Sequence, residues 1–273
     1  MIRIGQINFL NCTPIFTALQ EQYPDAGYSY VQGVPSFLNG LLRNGDIDVC
    51  PSSSIEYARN PEKYRLLPDL SISSCGPVQS VMLFSGRPLE ELDGAELALT
   101  SESETSVILL KVLLAKYLGF RNSFVASDLP IDQALEHRPA ALLIGDKALK
   151  GALAAPAGIH VYDLGELWHR FTGFPFVFAL WLVREERCQD AWEDIVQLRD
   201  RLLAAKRSSL ASLEIIANQC KDLAGISRNE LIEYWRILSY DLSPAHLEGL
   251  KHYYRCAAEC GLIPAAPDLK LVC

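Results

Sequence analysis

The side chains best placed for chemistry in this sequence are hydroxyls concentrated at one turn. They are Thr100, Ser101, Ser103, Thr105 and Ser106. The apolar run at 97–99 predicts a strand before them, and the largely aliphatic run at 107–118 predicts a buried helix after them. At such a turn, hydroxyls, the free N–H groups of the first helical turn and the positive end of the helix dipole together hold carboxylates or phosphates. We therefore expect an anion to bind here.

Helix capping is the alternative explanation of the same hydroxyl cluster. Ser101 followed three residues later by Glu104 has the spacing of a capping box, and serine and threonine precede many helices for that reason alone. Glu102 and Glu104 also oppose a bound anion unless their carboxylates point away from it. Both explanations stay open at the level of this motif.

Two further polar turns have the same placement between a predicted strand and a predicted helix. Residues 11–13 follow the strand predicted at 2–9, and the serine run at 52–54 follows the strand predicted at 47–50. In an open α/β sheet such turns lie at the carboxyl ends of the strands, where ligands bind. We expect the three turns to converge on one site.

Strand and helix patterns alternate along most of the chain, which favours a mainly parallel α/β architecture. The predicted strands are at 2–9, 28–32, 47–50, 97–99, 123–126, 140–144, 159–162 and 174–183, and the chain beyond residue 187 is mainly helical. This organisation predicts two α/β lobes. Lobe 1 comprises residues 1–86 and 180–273 with the C-terminal helices, and lobe 2 comprises residues 87–179. Two extended crossovers would join them into a clamshell with a central cleft.

Composition narrows the classes of partner. The formal net charge of −8 argues against nucleic acid, which normally requires a basic surface. No apolar run approaches the roughly 20 residues of a membrane span, and the first residues run into a strand rather than a secretory signal. We expect a cytoplasmic protein with no membrane partner. The eight cysteines are scattered without a CxxC pair, as is typical of reduced thiols.

Motifs for cofactor-dependent or covalent chemistry are missing from the sequence. GxGxxG, GxxxxGK[ST], GxSxG and HExxH do not occur, so we predict no cofactor and no metal. His252, Cys256 and Cys260 are spaced along one helical stripe and could ligate a metal, but core packing is the favoured explanation. His169 lies near an expected cleft segment, and we assign it no role in proton transfer.

Short segments spread over roughly the first two thirds of the chain carry a family resemblance. They are residues 3–5, 7–11, 33–35, 38–39, 45–48, 52–57, 71–72, 76–81, 99–100, 103, 105–107, 143–149, 163–165, 168 and 172–177. In this order they closely resemble the chorismate dehydratase family, which opens the futalosine route to menaquinone. The helical C-terminal third adds little to the resemblance.

The resemblance implies the two-lobed type II fold of periplasmic binding proteins. It also implies a hydro-lyase that converts chorismate, a small dianionic substrate, to 3-[(1-carboxyvinyl)oxy]benzoate and water, as a monomer or a homodimer. One alternative is the sister enzyme of the pathway, 1,4-dihydroxy-6-naphthoate synthase, which relies on a histidine base. The other is a non-catalytic protein of the same fold that binds small anions.

The resemblance also suggests roles for individual residues. Asn11 is the catalytic candidate, and the residues expected to bind substrate are Ser52, Ser53, Ser80, Ser103, Thr105, Ser106 and Gly145. We expect Thr105 and Ser106 to hold one carboxylate, and Ser52, Ser53 and Ser80 to hold the other from the opposite lobe. The substrate's enolpyruvyl carboxylate is the expected base, with Asp146 or Glu102 as alternatives. Singly, Asn11 and Asp146 are also explained as turn and helix-capping residues.

Overall fold

Aliphatic segments of the sequence form the strands of two β-sheets. A computed structural model describes residues 1–220, 223 and 225–272. Its strands are β1 Ile2–Ile7, β2 Tyr28–Gly33, β3 Val49–Ser53, β4 Tyr64–Ser74, β5 Val81–Ser85, β6 Glu96–Leu99, β7 Ser123–Ala126, β8 Ala140–Ile144, β9 His160–Asp163, β10 Phe176–Arg184 and β11 Leu238–Ser239.

Helices connect the strands and cover the sheets. The α-helices are α1 Thr13–Gln22, α2 Pro35–Asn44, α3 Ser54–Arg59, α4 Glu104–Val112, α5 Ile131–His137, α6 Gly145–Leu153, α7 Leu164–Thr172, α8 Glu185–Asp190, α9 Trp192–Leu210, α10 Leu213–Gln219, α11 Arg228–Ile237 and α12 Pro244–Glu259. Short 3₁₀ helices occupy Leu10–Cys12 and Leu89–Glu91, and a π-helical turn, Leu113–Tyr117, extends α4. No helix in the described part of the chain is long and apolar enough to cross a membrane.

The first sheet contains six strands in the order β11-β4-β10-β3-β1-β2. Strand β1 runs parallel to β2 and β3, whereas β10 runs antiparallel to β3 and β4. The second sheet contains five strands in the order β7-β6-β8-β5-β9, with β6 parallel to β7 and β8. The predicted α/β alternation is therefore present, and the C-terminal helices α9 and α12 pack against β4 and β10 of the first sheet, as expected.

Strand pairing places the crossovers earlier than the sequence pattern suggested. The long run before Gly86 is divided between the sheets, because β4 pairs in the first sheet and β5 pairs with β8 and β9 in the second. Strand β10 returns to the first sheet from Phe176 onwards. On this pairing we propose that the lobes divide near residues 75–80 and 173–175, rather than at 86 and 180.

The helix predicted after the hydroxyl cluster lies at the centre of the molecule. Ile108, Leu109, Leu110 and Val112 of α4 are all buried, and α4 contacts α3, α7, α12 and β10. Seven of the cysteines are free thiols, while Cys273 lies outside the described residues.

The buried carboxylate of Glu56 stabilises α3, the helix that follows β3 of the first sheet. Glu56 is fully buried and accepts hydrogen bonds from Arg43, Asn60 and Tyr64. We expect Glu56→Gln to lower the free energy of unfolding by about 2–3 kcal/mol, because an amide NH₂ would face these donors. Thermal unfolding followed by circular dichroism would measure a Tm roughly 5 °C lower. Glu248→Gln, at an exposed ion pair with Lys251, is the control and should leave Tm unchanged; equal effects would contradict the prediction.

Candidate active site

The three polar turns converge on one cavity between the two sheets. Its polar wall groups are Asn11, Ser53, Ser80, Ser103 and Ser106, and Gly145 contributes backbone. The rest of the wall is apolar and consists of Ile7, Phe9, Pro35, Ile72, Val78, Val81, Ile144, Phe178 and Ala179. The cavity measures about 50 Å³, space for one or two water molecules. Admission of a larger ligand therefore requires its walls to move apart.

The structure brings together most of the predicted site residues but not Ser52. Successive residues of a strand face opposite sides of the sheet, so Ser53 reaches the cavity wall while Ser52 does not. Ser52 is fully buried, and its hydroxyl has no hydrogen-bond partner in the described part of the chain. The expected contact of Ser52 with a ligand is therefore not supported by this geometry.

Thr105 is also placed differently from the prediction. Its Oγ1 accepts a hydrogen bond from the backbone N–H of Ile55 at 3.1 Å and lies 3.4 Å from the hydroxyl of Ser54. Both partners are in the first turn of α3, whose N–H groups lack partners within the helix. Thr105 thus caps α3 from α4 and joins the two halves of the molecule instead of facing the cavity.

Ser80 lies on the opposite side of the cavity from the one predicted. It directly precedes β5 of the second sheet, and its carbonyl accepts the N–H of Gly145 at 2.8 Å. Ser103 and Ser106 lie at the start of α4, which follows β6 of the same sheet. The three serines therefore share one side of the cavity, because strand pairing assigns residues 81–85 to the second sheet.

Capping and cavity lining occur together at the N-terminus of α4. The N-cap is Ser103, whose Oγ accepts the N–H of Ser106 at 3.4 Å and lies 3.1 Å from the Ser106 hydroxyl. The capping box expected at Ser101 and Glu104 is wrong, because Ser101 instead donates through its N–H and hydroxyl to Asp128. Those two bonds lower the pKa of the Asp128 carboxyl.

The two glutamates that opposed an anion at this turn are held in ion pairs. Glu102 Oε1 lies 2.7 Å from Lys147 Nζ, and Glu104 pairs with Arg59. Neither glutamate belongs to the cavity wall. Among the described residues that form this wall there is no lysine or arginine, so the donors offered to an anion are hydroxyls, an amide and helix N-termini.

Asn11 presents an amide to the cavity from the Leu10–Cys12 turn. Its Oδ1 is buried without a hydrogen-bond partner in the described part of the chain. A buried polar atom of this kind in a cavity wall is available to a ligand. Tyr234 is a neighbour of Asn11 and Ser80. Burial raises the pKa of its phenol, and these two neighbouring side chains oppose that rise.

Aromatic donors from residues 235–254, near the C-terminal end of the chain, bond the backbone of all three turns, a role that the sequence pattern did not predict. Trp235 Nε1 donates to the carbonyl of Leu10 and Tyr240 Oη to that of Asn11, each at 2.8 Å. Tyr254 Oη donates to the carbonyl of Ser54 at 2.6 Å, and Tyr253 Oη to that of Thr105 at 3.1 Å. The available signal was the concentration of tyrosine and tryptophan there, because buried phenols and indoles need hydrogen-bond partners.

Asp163 fixes the crossover that leads to Ser80. Its carboxylate accepts the N–H groups of Val78 and Gln79 at 2.9 and 2.6 Å, and those of Gly165 and Glu166 at 2.8 and 3.1 Å. Burial raises the pKa of Asp163, and these four N–H groups oppose the rise. One carboxylate thus caps α7 and holds the crossover against it.

The histidines and cysteines singled out in the sequence lie away from the cavity wall. His252 Nε2 is 2.9 Å from the Tyr117 hydroxyl, with Cys256 Sγ 3.6 Å away. His169 Nδ1 is 3.2 Å from the carbonyl of Phe174. Within residues 1–220, 223 and 225–272, no group of three or more His, Cys, Asp or Glu side chains could hold a metal ion.

Comparisons with known proteins agree with this architecture. A family model described as menaquinone biosynthesis matches residues 2–259. A chorismate dehydratase of Thermus thermophilus is 33% identical over 279 residues, covering 97% of this chain and 96% of its own. A chorismate dehydratase of Campylobacter jejuni is 34% identical over 179 residues, 64% of each chain.

A solved Candida albicans protein, described as having the generic periplasmic binding protein fold, has a TM-score of 0.73 at 12% identity, covering 98% of this chain and 92% of its own. At that identity the likeness concerns the fold alone. The predicted periplasmic-binding-protein-like clamshell is confirmed.

Proposed function

This chain belongs to the menaquinone biosynthesis family, and we propose that it is a chorismate dehydratase, a hydro-lyase that converts chorismate to 3-[(1-carboxyvinyl)oxy]benzoate and water. The observation that carries the proposal is the convergence of an amide and four serine hydroxyls on one apolar-walled cavity. It occurs in a chain that matches a chorismate dehydratase over 97% of its length. Chorismate itself fits such a site as a dianion with a polar edge and an apolar ring.

Neutral donors suit the charge that develops during this dehydration. The proton on C3 of chorismate is vinylogous to the ring carboxylate, so its departure spreads negative charge onto that carboxylate. We place the ring carboxylate at the N-terminus of α4, within reach of Ser103 and Ser106, where hydroxyls and the helix dipole stabilise this charge. Ser53 lies on the other side of the cavity and takes the second carboxylate.

The substrate is the proposed base. The described cavity wall holds no carboxylate and no histidine, and an amide or a serine hydroxyl is a poor proton acceptor. The enolpyruvyl carboxylate of chorismate therefore accepts the C3 proton, and the C–H electron pair enters the ring. As the C4–O bond breaks, the carboxylic acid so formed returns this proton to the departing hydroxyl, which leaves as water, and the carboxylate is regenerated. Asn11 holds the C4 hydroxyl or the enolpyruvyl oxygen, and the closed site excludes solvent.

Incubation of the purified protein with chorismate tests the function. We expect loss of the cyclohexadiene absorbance and a product lighter than chorismate by one water, identified by mass spectrometry. Chorismate kept without protein is the control for spontaneous breakdown. Unchanged chorismate with binding detected by calorimetry would contradict dehydration and favour a binding protein, whereas turnover of a cyclic futalosine derivative would favour 1,4-dihydroxy-6-naphthoate synthase.

We also infer a cytoplasmic location, which the scattered free cysteines support because exported proteins usually pair them. The proposed substrate, chorismate, is a small soluble anion. We propose no nucleic acid partner, because the chain has a net charge of −8. The proposed reaction is compatible with both a monomer and a homodimer.

Thr105 and Ser106 are neighbours with different expected effects. Thr105→Val removes the acceptor of the buried Ile55 N–H, so we expect a loss of about 1–2 kcal/mol in the free energy of unfolding with little change in KM. Ser106→Ala is the matched variant at the cavity wall and should raise KM for chorismate with a smaller loss of stability. Steady-state kinetics and thermal unfolding of both variants test this. A larger rise in KM for Thr105→Val than for Ser106→Ala would contradict this and indicate that Thr105 binds substrate.

A further inference from the structure

The backbone turn that carries Asn11 receives hydrogen bonds from both halves of the molecule. Trp235 and Tyr240 bond its carbonyls from the C-terminal part of the chain. On the other side, Asp146 Oδ1 accepts the backbone N–H of Leu10 at 3.0 Å. Asp146 belongs to α6, which follows β8 of the second sheet, whereas Leu10 follows β1 of the first. This bond therefore links the two sheets at the first residue of the Asn11 turn.

The position of Asp146 does not match that of a base. It is absent from the cavity wall and faces a separate groove beside the turn, which Gln6, Asn8, Leu10 and Thr13 also line. A general base must come within hydrogen-bond reach of the proton that it removes. Asp146 does not cap its own helix either, since the N-cap of α6 is Ile144 and no side chain caps it. The expectation that Asp146 caps α6 is thus wrong: it lies in the first turn of α6, and its Oδ1 bonds the Leu10 turn.

We propose that Asp146 is a positioning residue, which holds the Leu10–Cys12 turn so that the Asn11 amide faces the substrate when the two sheets are closed. The inference rests on the proposed function, in which Asn11 touches chorismate. A movement that draws α6 away from the turn breaks the bond, and closure restores it. Since a cavity of about 50 Å³ is too small for chorismate, the proposal includes a widening of the site, and the Asn11 turn then gains its third support only after the substrate is enclosed.

Two substitutions of Asp146 separate positioning from base chemistry. Asp146→Asn keeps an oxygen acceptor for the Leu10 N–H, whereas Asp146→Ala removes it. We expect Asp146→Ala to lower kcat roughly tenfold to a hundredfold with a smaller change in KM, because small displacements of a reacting group are costly. Asp146→Asn should recover most of that loss. Equal losses in both variants would indicate a base, and full activity of Asp146→Ala would also overturn the proposal.

A double-mutant cycle tests whether Asp146 acts through Asn11. In an Asn11→Ala background the amide to be positioned is gone, so Asp146→Ala should cost little further kcat. A merely structural role would lower kcat by the same factor in both backgrounds. Such additivity would count against positioning even if Asp146→Ala alone is impaired.

Amide hydrogen exchange at residues 10–12 gives a readout that does not depend on turnover. We expect this segment to exchange faster in Asp146→Ala than in the wild-type protein, and Asp146→Asn to remain close to wild type. If the wild-type protein fails to dehydrate chorismate but shows this pattern, the proposed function fails while the support of the turn by Asp146 stands. Unchanged exchange in Asp146→Ala would overturn the positioning role itself.

Discussion

Asn11→Ala lowers kcat for chorismate by about 10²–10³-fold, with a much smaller change in KM, if the amide acts on the reacting part of the substrate. The buried Oδ1 of Asn11 has no hydrogen-bond partner in the described part of the chain, although Asn11 lies in the cavity wall. A group left without a protein partner gains its hydrogen bond only when a ligand arrives. Since the described wall offers no base, the protein must position the substrate's own carboxylate. We assign that positioning mainly to Asn11, which holds the C4 hydroxyl or the enolpyruvyl oxygen.

Stability measurements make this prediction specific. Tyr240 bonds the backbone carbonyl of Asn11, not its side chain, so the alanine variant keeps the turn and should unfold within about 1 kcal/mol of wild type. Steady-state kinetics with chorismate give kcat and KM, and calorimetry with the product gives binding. A variant that folds normally and turns over at the wild-type rate would remove Asn11 from the mechanism. A variant that loses binding in proportion to kcat would make it a binding residue only.

Local patterns in the sequence predicted elements and turns well for a physical reason. The run at 140–144 is buried on both faces, and a short continuous apolar run is typical of such a strand. Polar residues that follow such strands, as Ser103 follows β6, must lie near the carboxyl end of the sheet whatever the rest of the chain does. Convergence of the three turns was therefore predictable without knowledge of their contacts.

The sheet that a strand joins, and the side of the sheet that each residue faces, depend on partners distant in the sequence. Local patterns therefore could not predict them. Ser52 and Ser53 have identical side chains, and only the register of β3 with β10 decides which one faces the cavity. Likewise, the pairing of Val81 with Ile144 moves Ser80 to the other half of the molecule. The support of Asn11 by Tyr240 joins residues more than two hundred positions apart, and no local pattern specifies such a contact.

The proposed site binds a dianion with neutral donors, although the chain itself has a net charge of −8. Long-range attraction is unfavourable for such a pair, so affinity must come from short-range donors in a site of low polarity. Those donors stabilise charge only when water is excluded and the walls are in contact. Close packing across the cavity is therefore as important as the donors themselves.

Gly145→Ala tests that contact, and we expect it to lower kcat/KM for chorismate by about tenfold to a hundredfold. A Cβ at this position would lie 2.9 Å from carbon atoms of the Phe9 ring, closer than real Cβ contacts allow. Phe9 belongs to the first half of the molecule and Gly145 to the second, so either the ring rotates into the cavity or the halves stay apart. Each displacement disturbs the same small space that Asn11 and the serines surround.

Backbone strain is the competing explanation of a loss at Gly145, and the chain offers a matched control for it. Gly145 has φ +61° and Gly158 has φ +88°, but a Cβ at Gly158 would meet no atom within 4 Å. Both alanine variants carry the strain of a left-handed residue, roughly 1–2 kcal/mol, so both should lower Tm. Only Gly145→Ala should lower kcat/KM, and Phe9→Leu in the same chain should restore part of the loss by removing the ring from the contact. If Gly158→Ala lost as much activity, strain and not the contact across the cavity would be responsible, and closure on Phe9 would have no part in catalysis.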